Sequence, residues 1–260
     1  MERLVALDFD GTVALTSDAF PRQGVLSVDD AYGVACDEVL GASAADRFRE
    51  QGGHNHRTPA EIVADLQPNM DVEAIEVAAK SVTEVKMAVL LGQVGTALPS
   101  GALWPRLTDG FAETWSQISA EPSVGTAIIS AGHEAFIAKT FQVHSLPRPG
   151  DVVTDDVVIQ AGYGDFSPEE RAKPNPLIMG LTFQRWRQAR QILISEVSGS
   201  NILYVGDDPY KDGRLASNSR VGFELLVPTP QESRRTWKKV VAWALQDQAL
   251  SSEGYSDVRS

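Results

Sequence analysis

Asp8 and Asp10, separated by Phe9 and followed by Gly11-Thr12-Val13, are the residues of this chain whose type and spacing most directly imply chemistry. They end the apolar run Leu4-Val5-Ala6-Leu7, which suits a strand buried on both faces of a parallel sheet. Open α/β sheets place their ligands at the carboxyl ends of such strands. At strand period the two carboxylates share a face. Past the strand end Gly11 lets the backbone turn, so that both can converge on one cation. Two converging carboxylates suit magnesium.

The elements that must hold this pair are readable on either side of a long interruption. After Val13 strand character is lost, and the sequence reads as largely helical to about residue 100. Ser27 with Asp29 and Asp30 opens a helix to about Leu40, stopped by Gly41, and a second helix covers 44–50. Gly52 to Arg57 reads as a loop, Thr58-Pro59-Ala60-Glu61 starts a third helix, and 71–91 carries the longest helical pattern. Breakers at Leu98-Pro99-Ser100-Gly101 and Trp104-Pro105 mark the return. Beyond them come a helix over 108–118, a strand over 126–129, a helix from Glu134, a strand over 152–159 and a helix from Pro176. Strands over 201–205 and 224–227 and a helix over 231–248 complete the pattern, with a Ser-rich end from Ser251 expected to fray. Strands alternating with helices imply a doubly wound parallel-sheet, Rossmann-like α/β core of residues 1–13 and 106–260. Residues 14–105 form an inserted all-helical domain in this reading.

Composition narrows the class. At 260 residues, with 43% apolar and 22% charged side chains, the chain has the material for a sizeable core. A net charge of −12 and no basic stripe argue against a nucleic-acid partner. No apolar run approaches the length of a membrane span, so no membrane partner is expected either. Cys36 is the single cysteine and lies in an apolar helical pattern, which fits a buried thiol in a reducing compartment. The chain enters its first strand at once, without a basic and apolar leader, and a cytoplasmic monomer or homodimer is expected.

The Asp8-Phe9-Asp10-Gly11-Thr12 stretch resembles motif I of the haloacid dehalogenase superfamily. Three later segments, each after an apolar strand, resemble its remaining motifs in order. Ser130-Ala131-Gly132-His133 is similar to motif II, Lys173-Pro174-Asn175-Pro176 to motif III, and Gly206-Asp207-Asp208-Pro209-Tyr210-Lys211-Asp212 to motif IV. The helical insert between the first two matches the family's cap in position and approximate size. The resemblance implies a magnesium-dependent phosphatase that acts on a small phosphorylated metabolite through an aspartyl-phosphate intermediate. Asp8 would be the nucleophile, and Asp10 the acid that protonates the leaving alcohol and then activates water. Dehalogenating members lack that second acid.

Ser130, with the backbone amides of Ala131 and Gly132, would hold the phosphate oxygens, and Gly11 and Thr12 would line the same pocket. Lys173 would neutralise the nucleophile and the developing charge. Asp8, Asp10 and Asp207 would serve the magnesium ion, with Asp208 or Asp212 in support. His54, His56 and Arg57, in the loop where relatives present a recognition segment, are candidate substrate contacts. His133 could reach the leaving group. The other readings are a sugar-phosphate mutase, a phosphonate hydrolase, and a binding module that keeps the fold without turnover. A phosphonate hydrolase needs an imine-forming lysine in the insert, where Lys80 and Lys86 are the only lysines and solvent exposure is expected for both.

Overall fold

A computed structural model of the chain describes residues 1–54 and 57–246. It divides into two compact units, Met1–Leu15 with Leu107–Ser260, and Thr16–Arg106. The first is the α/β unit. The second is helical.

The first strand, β1 (Arg3–Leu7), is buried at every position, as a central parallel strand must be. Ala14–Leu15 (β2) and Arg106–Leu107 (β3), a two-stranded sheet absent from the sequence reading, lie where the chain leaves this unit and where it returns. Between them run α1 (Val28–Leu40), α2 (Ala44–Glu50), α3 (Pro59–Leu66) and α4 (Val72–Gln93). Their starts are those the sequence implies. Ser27 Oγ accepts from Asp30 N, Asp71 caps α4, and Thr58 and Glu61 form a reciprocal capping box. Tyr32, Cys36, Phe48, Ile62, Leu66 and Val82 form this unit's core. Cys36 is fully buried there, and burial pushes its thiol up to about 11.

Lys86 departs from expectation. It is buried, because it shares the inward face of α4 with Val82 and Leu90. Its ammonium lies 4.5 Å from the centroid of the Tyr32 ring and 3.3 Å from the Tyr32 hydroxyl. Lys80 is exposed as expected.

The α/β unit continues with α5 (Phe111–Ala120), β4 (Val124–Ile129), α6 (Glu134–Val143) and β5 (Asp151–Val153). The short helices α7 (Asp155–Val158) and α8 (Pro168–Arg171) lead to α9 (Leu177–Arg190). Then follow β6 (Ile202–Gly206), α10 (Asp212–Ser219), β7 (Gly222–Leu225) and α11 (Pro230–Ala244). The strand expected over 152–159 is therefore corrected: it stops at Val153. Thr154-Asp155-Asp156 is a helix start, a threonine N-cap with acids in the first turn, and it overrides the β-branched run around it. The expected end of the last helix at 248 and the tail from 251 lie outside the described residues.

Five strands form one parallel sheet in the order β5-β4-β1-β6-β7. One face packs on α9 and α10 through Leu4, Ala6, Ala127, Ile129, Ile202 and Tyr204. Helices α5, α6 and α11 supply a separate aromatic group, in which Phe111, Trp115, Phe141 and Trp237 are stacked edge and tilt. The order places β1 between β4, reached first, and β6, reached after the chain reverses direction across the sheet. That is a topological switch point, and open α/β sheets bind their ligands at the carboxyl ends of the strands there. Leu7 pairs with Ile128 on one side and Val205 on the other. Asp8, one residue past Leu7, and Ser130 and Asp207, two residues past Ile128 and Val205, therefore emerge together. Among the described residues no helix is long and apolar enough to cross a membrane.

Candidate active site

Asp8 leaves β1 with its amide donating to Val205 O at 2.8 Å, so its backbone still belongs to the sheet. The turn then closes tightly: the amides of Val13 and Ala14 donate to Phe9 O, and Gly11 N donates to Ala14 O. Gly11 has φ +78°, and a Cβ there would stand 2.2 Å from Asp207 Oδ2. Glycine is thus required both by conformation and by the approach of that carboxylate. Thr12, fully buried, donates through Oγ1 to Asp207 Oδ1 at 3.1 Å. It orients a carboxylate. Asp10 is exposed, and its Oδ2 would lie 3.5 Å from a Cβ added at Gly132, which puts it beside the turn after β4.

That turn uses its own groups. Ser130 is 1% exposed, and its Oγ accepts from Gly132 N at 2.9 Å. The Gly132 amide is therefore directed at the serine, and the serine O–H is left to donate outward. His133 is the N-cap of α6 and makes no side-chain cap bond.

Asp207 and Asp212 come from the end of β6 and the first residue of α10. A Cβ at Gly206 would stand 2.3 Å from Asp212 Oδ2, so Asp212 can fold back over the strand end only past a glycine. Asp212 is 1% exposed. Its Oδ2 accepts from Asp208 N at 3.1 Å, while its Oδ1 accepts from Lys173 Nζ and from Tyr204 Oη, each at 2.8 Å. Asp208 does something else: its Oδ1 accepts from Tyr210 N and Lys211 N, a turn that starts α10. Of the two acids between which the sequence did not choose, Asp212 is the one gathered with the others.

Lys173 reaches in from the loop before α9. Its Nζ donates to Asp8 Oδ1 at 2.5 Å, to Asp212 Oδ1 and to Tyr204 Oη at 3.2 Å. The loop is anchored upstream by Arg171, which forms a two-pronged pair with Asp155 and donates to Gly164 O and Phe166 O. Downstream, Asn218 Nδ2 donates to Pro174 O.

Carboxylate oxygens of Asp8, Asp207 and Asp212 all lie within 4.8 Å of one another. Lys173 is shared between Asp8 and Asp212, and every donor in the cluster is a hard oxygen. This donor set fits one magnesium-sized dication. The electrostatics carry the same sign. Burial, with Asp212 and Asp10 adding to it, pushes the Asp8 carboxyl up to about 7 in spite of the lysine at its side. Burial raises Asp207 as well. Lys173 titrates well above the usual lysine range, because the charge of Asp8 leads the attractions that outweigh its burial. The two partners thus shift in the same direction: one ammonium serves several carboxylates, so it is over-satisfied while they are not.

Asp8, Asp10, Gly11, Thr12, Ser130, Gly132, Lys173, Asp207 and Asp212 all belong to the α/β unit, with Ala131 exposed on the Ser130 turn. Asp10 and Asp208 stand outside the three-carboxylate cluster. His54 and Arg57 are engaged within the helical unit. His54 Nδ1 lies 2.5 Å from Asp29 and its ring stacks on Tyr32 at 5.7 Å, while Arg57 donates to Asp65 at 2.7 Å and to Gly53 O. His56 lies outside the described residues.

The sequence reading did not single out Tyr204 or Thr108. Thr108 Oγ1 donates to Thr12 O at 2.7 Å and accepts from Trp237 Nε1 at 3.1 Å. Both read as ordinary strand or helix-start residues. A hydroxyl inside an otherwise apolar strand was the one available signal for Tyr204.

The sequence matches no family model, and no curated protein matches it. Solved structures do match in fold. A candidate beta-phosphoglucomutase from Thermotoga maritima aligns with a TM-score of 0.53 at 16% identity, over 92% of this chain and 100% of that one. A 2-haloacid dehalogenase from Pseudomonas syringae pv. Tomato DC3000 aligns at 0.52 and 13%, over 94% and 100%. A haloacid dehalogenase superfamily hydrolase of subfamily IA, variant 1, from Geobacter sulfurreducens PCA aligns at 0.51 and 14%, over 92% and 96%. At these identities the likeness speaks to fold, and the chain has the haloacid dehalogenase-like fold: a Rossmann-like parallel sheet with an inserted helical unit.

Proposed function

We propose that the protein is a magnesium-dependent phosphatase acting on a small phosphorylated metabolite, with residues 1–13 and 106–260 as its catalytic core and 14–105 as a substrate-selecting cap. The observation that carries this reading is the cluster of Asp8, Asp207 and Asp212, with Lys173 bridging Asp8 and Asp212, at the switch point of the sheet. Phosphoryl transfer asks a protein mainly for positioning and charge neutralisation, and this cluster supplies both. A magnesium ion bound by Asp8, Asp207 and Asp212 would supply the positive charge that keeps Asp8 ionised and draws on the phosphoryl oxygens.

The chain's own groups do the rest. An Asp8 carboxylate oxygen attacks phosphorus, forming the aspartyl phosphate as the ester oxygen departs. Asp10, exposed beside the Ser130 turn, gives that oxygen its proton and then takes one from the attacking water. Ser130 O–H donates to a non-transferred oxygen, and Lys173, whose protons go to Asp8, Asp212 and Tyr204, offsets the charge of the nucleophile and the charge that develops beside it. The exposed acid in second position favours hydrolysis over dehalogenation, the activity named for one of the structural neighbours.

The test is a phosphate-release screen over sugar phosphates, nucleotides, phosphoglycolate and cofactor phosphates, with and without magnesium. Release that needs magnesium and disappears in Asp8→Asn is expected. Release undiminished in Asp8→Asn, from a preparation free of contaminating phosphatase, would overturn the assignment. Turnover that requires a catalytic bisphosphate would make the protein a mutase instead.

A further inference from the structure

We infer that Tyr204 is a positioning residue for Lys173, an inference that rests on the phosphatase reading only for what Lys173 then does. Strand β6 alternates, so Ile202 and Tyr204 face α9 and α10, and the tyrosine ring is fully buried with its centroid 6.4 Å from that of Phe223. Its hydroxyl lies at the far end of this apolar body, under the site. There Oη donates to Asp212 Oδ1 at 2.8 Å and accepts from Lys173 Nζ at 3.2 Å.

A hydroxyl has one proton to give and lone pairs to receive with, so these two bonds have fixed directions. Lys173 Nζ has three protons, and its three partners are Asp8 Oδ1, Asp212 Oδ1 and Tyr204 Oη. The ammonium is thereby fully used and fixed in place. With the hydroxyl removed, one N–H of a buried ammonium loses its acceptor and Asp212 loses a donor, while the two carboxylates remain to pull the lysine either way. The tyrosine thus centres the cation between nucleophile and support. It touches neither the reacting atoms nor the proposed substrate, and it acts through the lysine.

Tyr204→Phe keeps the ring and its packing and removes only the hydroxyl. With p-nitrophenyl phosphate as probe, kcat is expected to fall about tenfold, the scale of a lost hydrogen bond to a charged group, with KM held within about twofold. In a Lys173→Met background the same substitution should cost nothing further, since the group it positions is gone. Independently of any activity, acylation of Lys173, followed by peptide mass spectrometry on the full chain, should become faster in Tyr204→Phe. Unchanged acylation and kcat in Tyr204→Phe overturn the inference. So does a loss of the same size in both backgrounds, which marks a packing role. A native protein that releases no phosphate overturns the phosphatase reading alone, and the acylation rate still decides the role of the tyrosine.

Discussion

Asp8 and Asp10 are separated by one residue and could not be further apart in environment: Asp8 is buried among carboxylates and a lysine, whereas Asp10 is exposed beside the Ser130 turn. Asp10→Ala is accordingly expected to stop turnover and to leave magnesium affinity, measured by titration calorimetry, close to native, because Asp10 stands outside the three-carboxylate cluster. Unaltered turnover would refute its proton-carrying role. Gly11→Ala should do the opposite, disturbing the metal set first: the left-handed φ alone costs about 1–2 kcal/mol for an alanine. In addition, the new Cβ would collide with Asp207. Urea unfolding and magnesium titration together would register both effects. Residues of this kind were readable in the sequence because carboxylates, glycine and lysine at strand ends have few other reasons to recur in that order. Asp208 and Asp212 could not be told apart, since the difference lies in which backbone amides each carboxylate meets. Tyr204 was hidden because a tyrosine in an apolar run counts as strand, and nothing local says where its hydroxyl ends.

The same division holds for elements. Helices α1, α3 and α4 begin at the capping side chains Ser27, Thr58 and Asp71, residue types that start helices, so their starts were legible to within a residue or two. Strand β5 was overextended because Val157, Val158 and Ile159 have strand-like side chains, while the acid pair after Thr154 decides for helix. That helix has a purpose in the site's support, since Asp155 is the carboxylate that holds Arg171, two residues before Lys173. Helix α11 reaches the site by another route, through Trp237, Thr108, Thr12 and finally Asp207. Such a relay joins elements 96 positions apart and more, and no periodicity announces it. Thr108→Val preserves shape and deprives Thr12 O and Trp237 Nε1 of a buried partner. It should cost about 1–3 kcal/mol in urea unfolding. It should also weaken magnesium binding, because Thr12 holds Asp207. Loss of stability with metal affinity untouched would show that the relay ends at the backbone and does not reach the carboxylate.

At the scale of the molecule, the chain invests in an α/β unit that concentrates uncompensated negative charge at one point, and this has a consequence for how stability responds to pH. In the metal-free protein Asp8 holds its proton up to about pH 7, whereas in the unfolded chain it releases it near its ordinary value of about 4. Below both values the two states are equally protonated and Asp8 contributes nothing. Between them the folded state binds the extra proton, so stability falls as pH rises through that window and levels off above it. Asp207, also raised, adds in the same direction. Lys173 is raised too, but its contribution is fully present at these pH values and is lost only in the alkaline range, so it does not mask the slope. A bound dication favours the ionised carboxylates and cancels the penalty. Added magnesium should therefore raise the melting temperature of the protein distinctly at pH 7.5 and little at pH 5. Asp8→Asn, with no proton to release, should flatten the metal-free slope and shrink the difference between the two pH values. Calorimetric scans of both proteins with and without magnesium decide the matter: equal stabilisation at both pH values would mean that the cation does not bind at the Asp8 cluster.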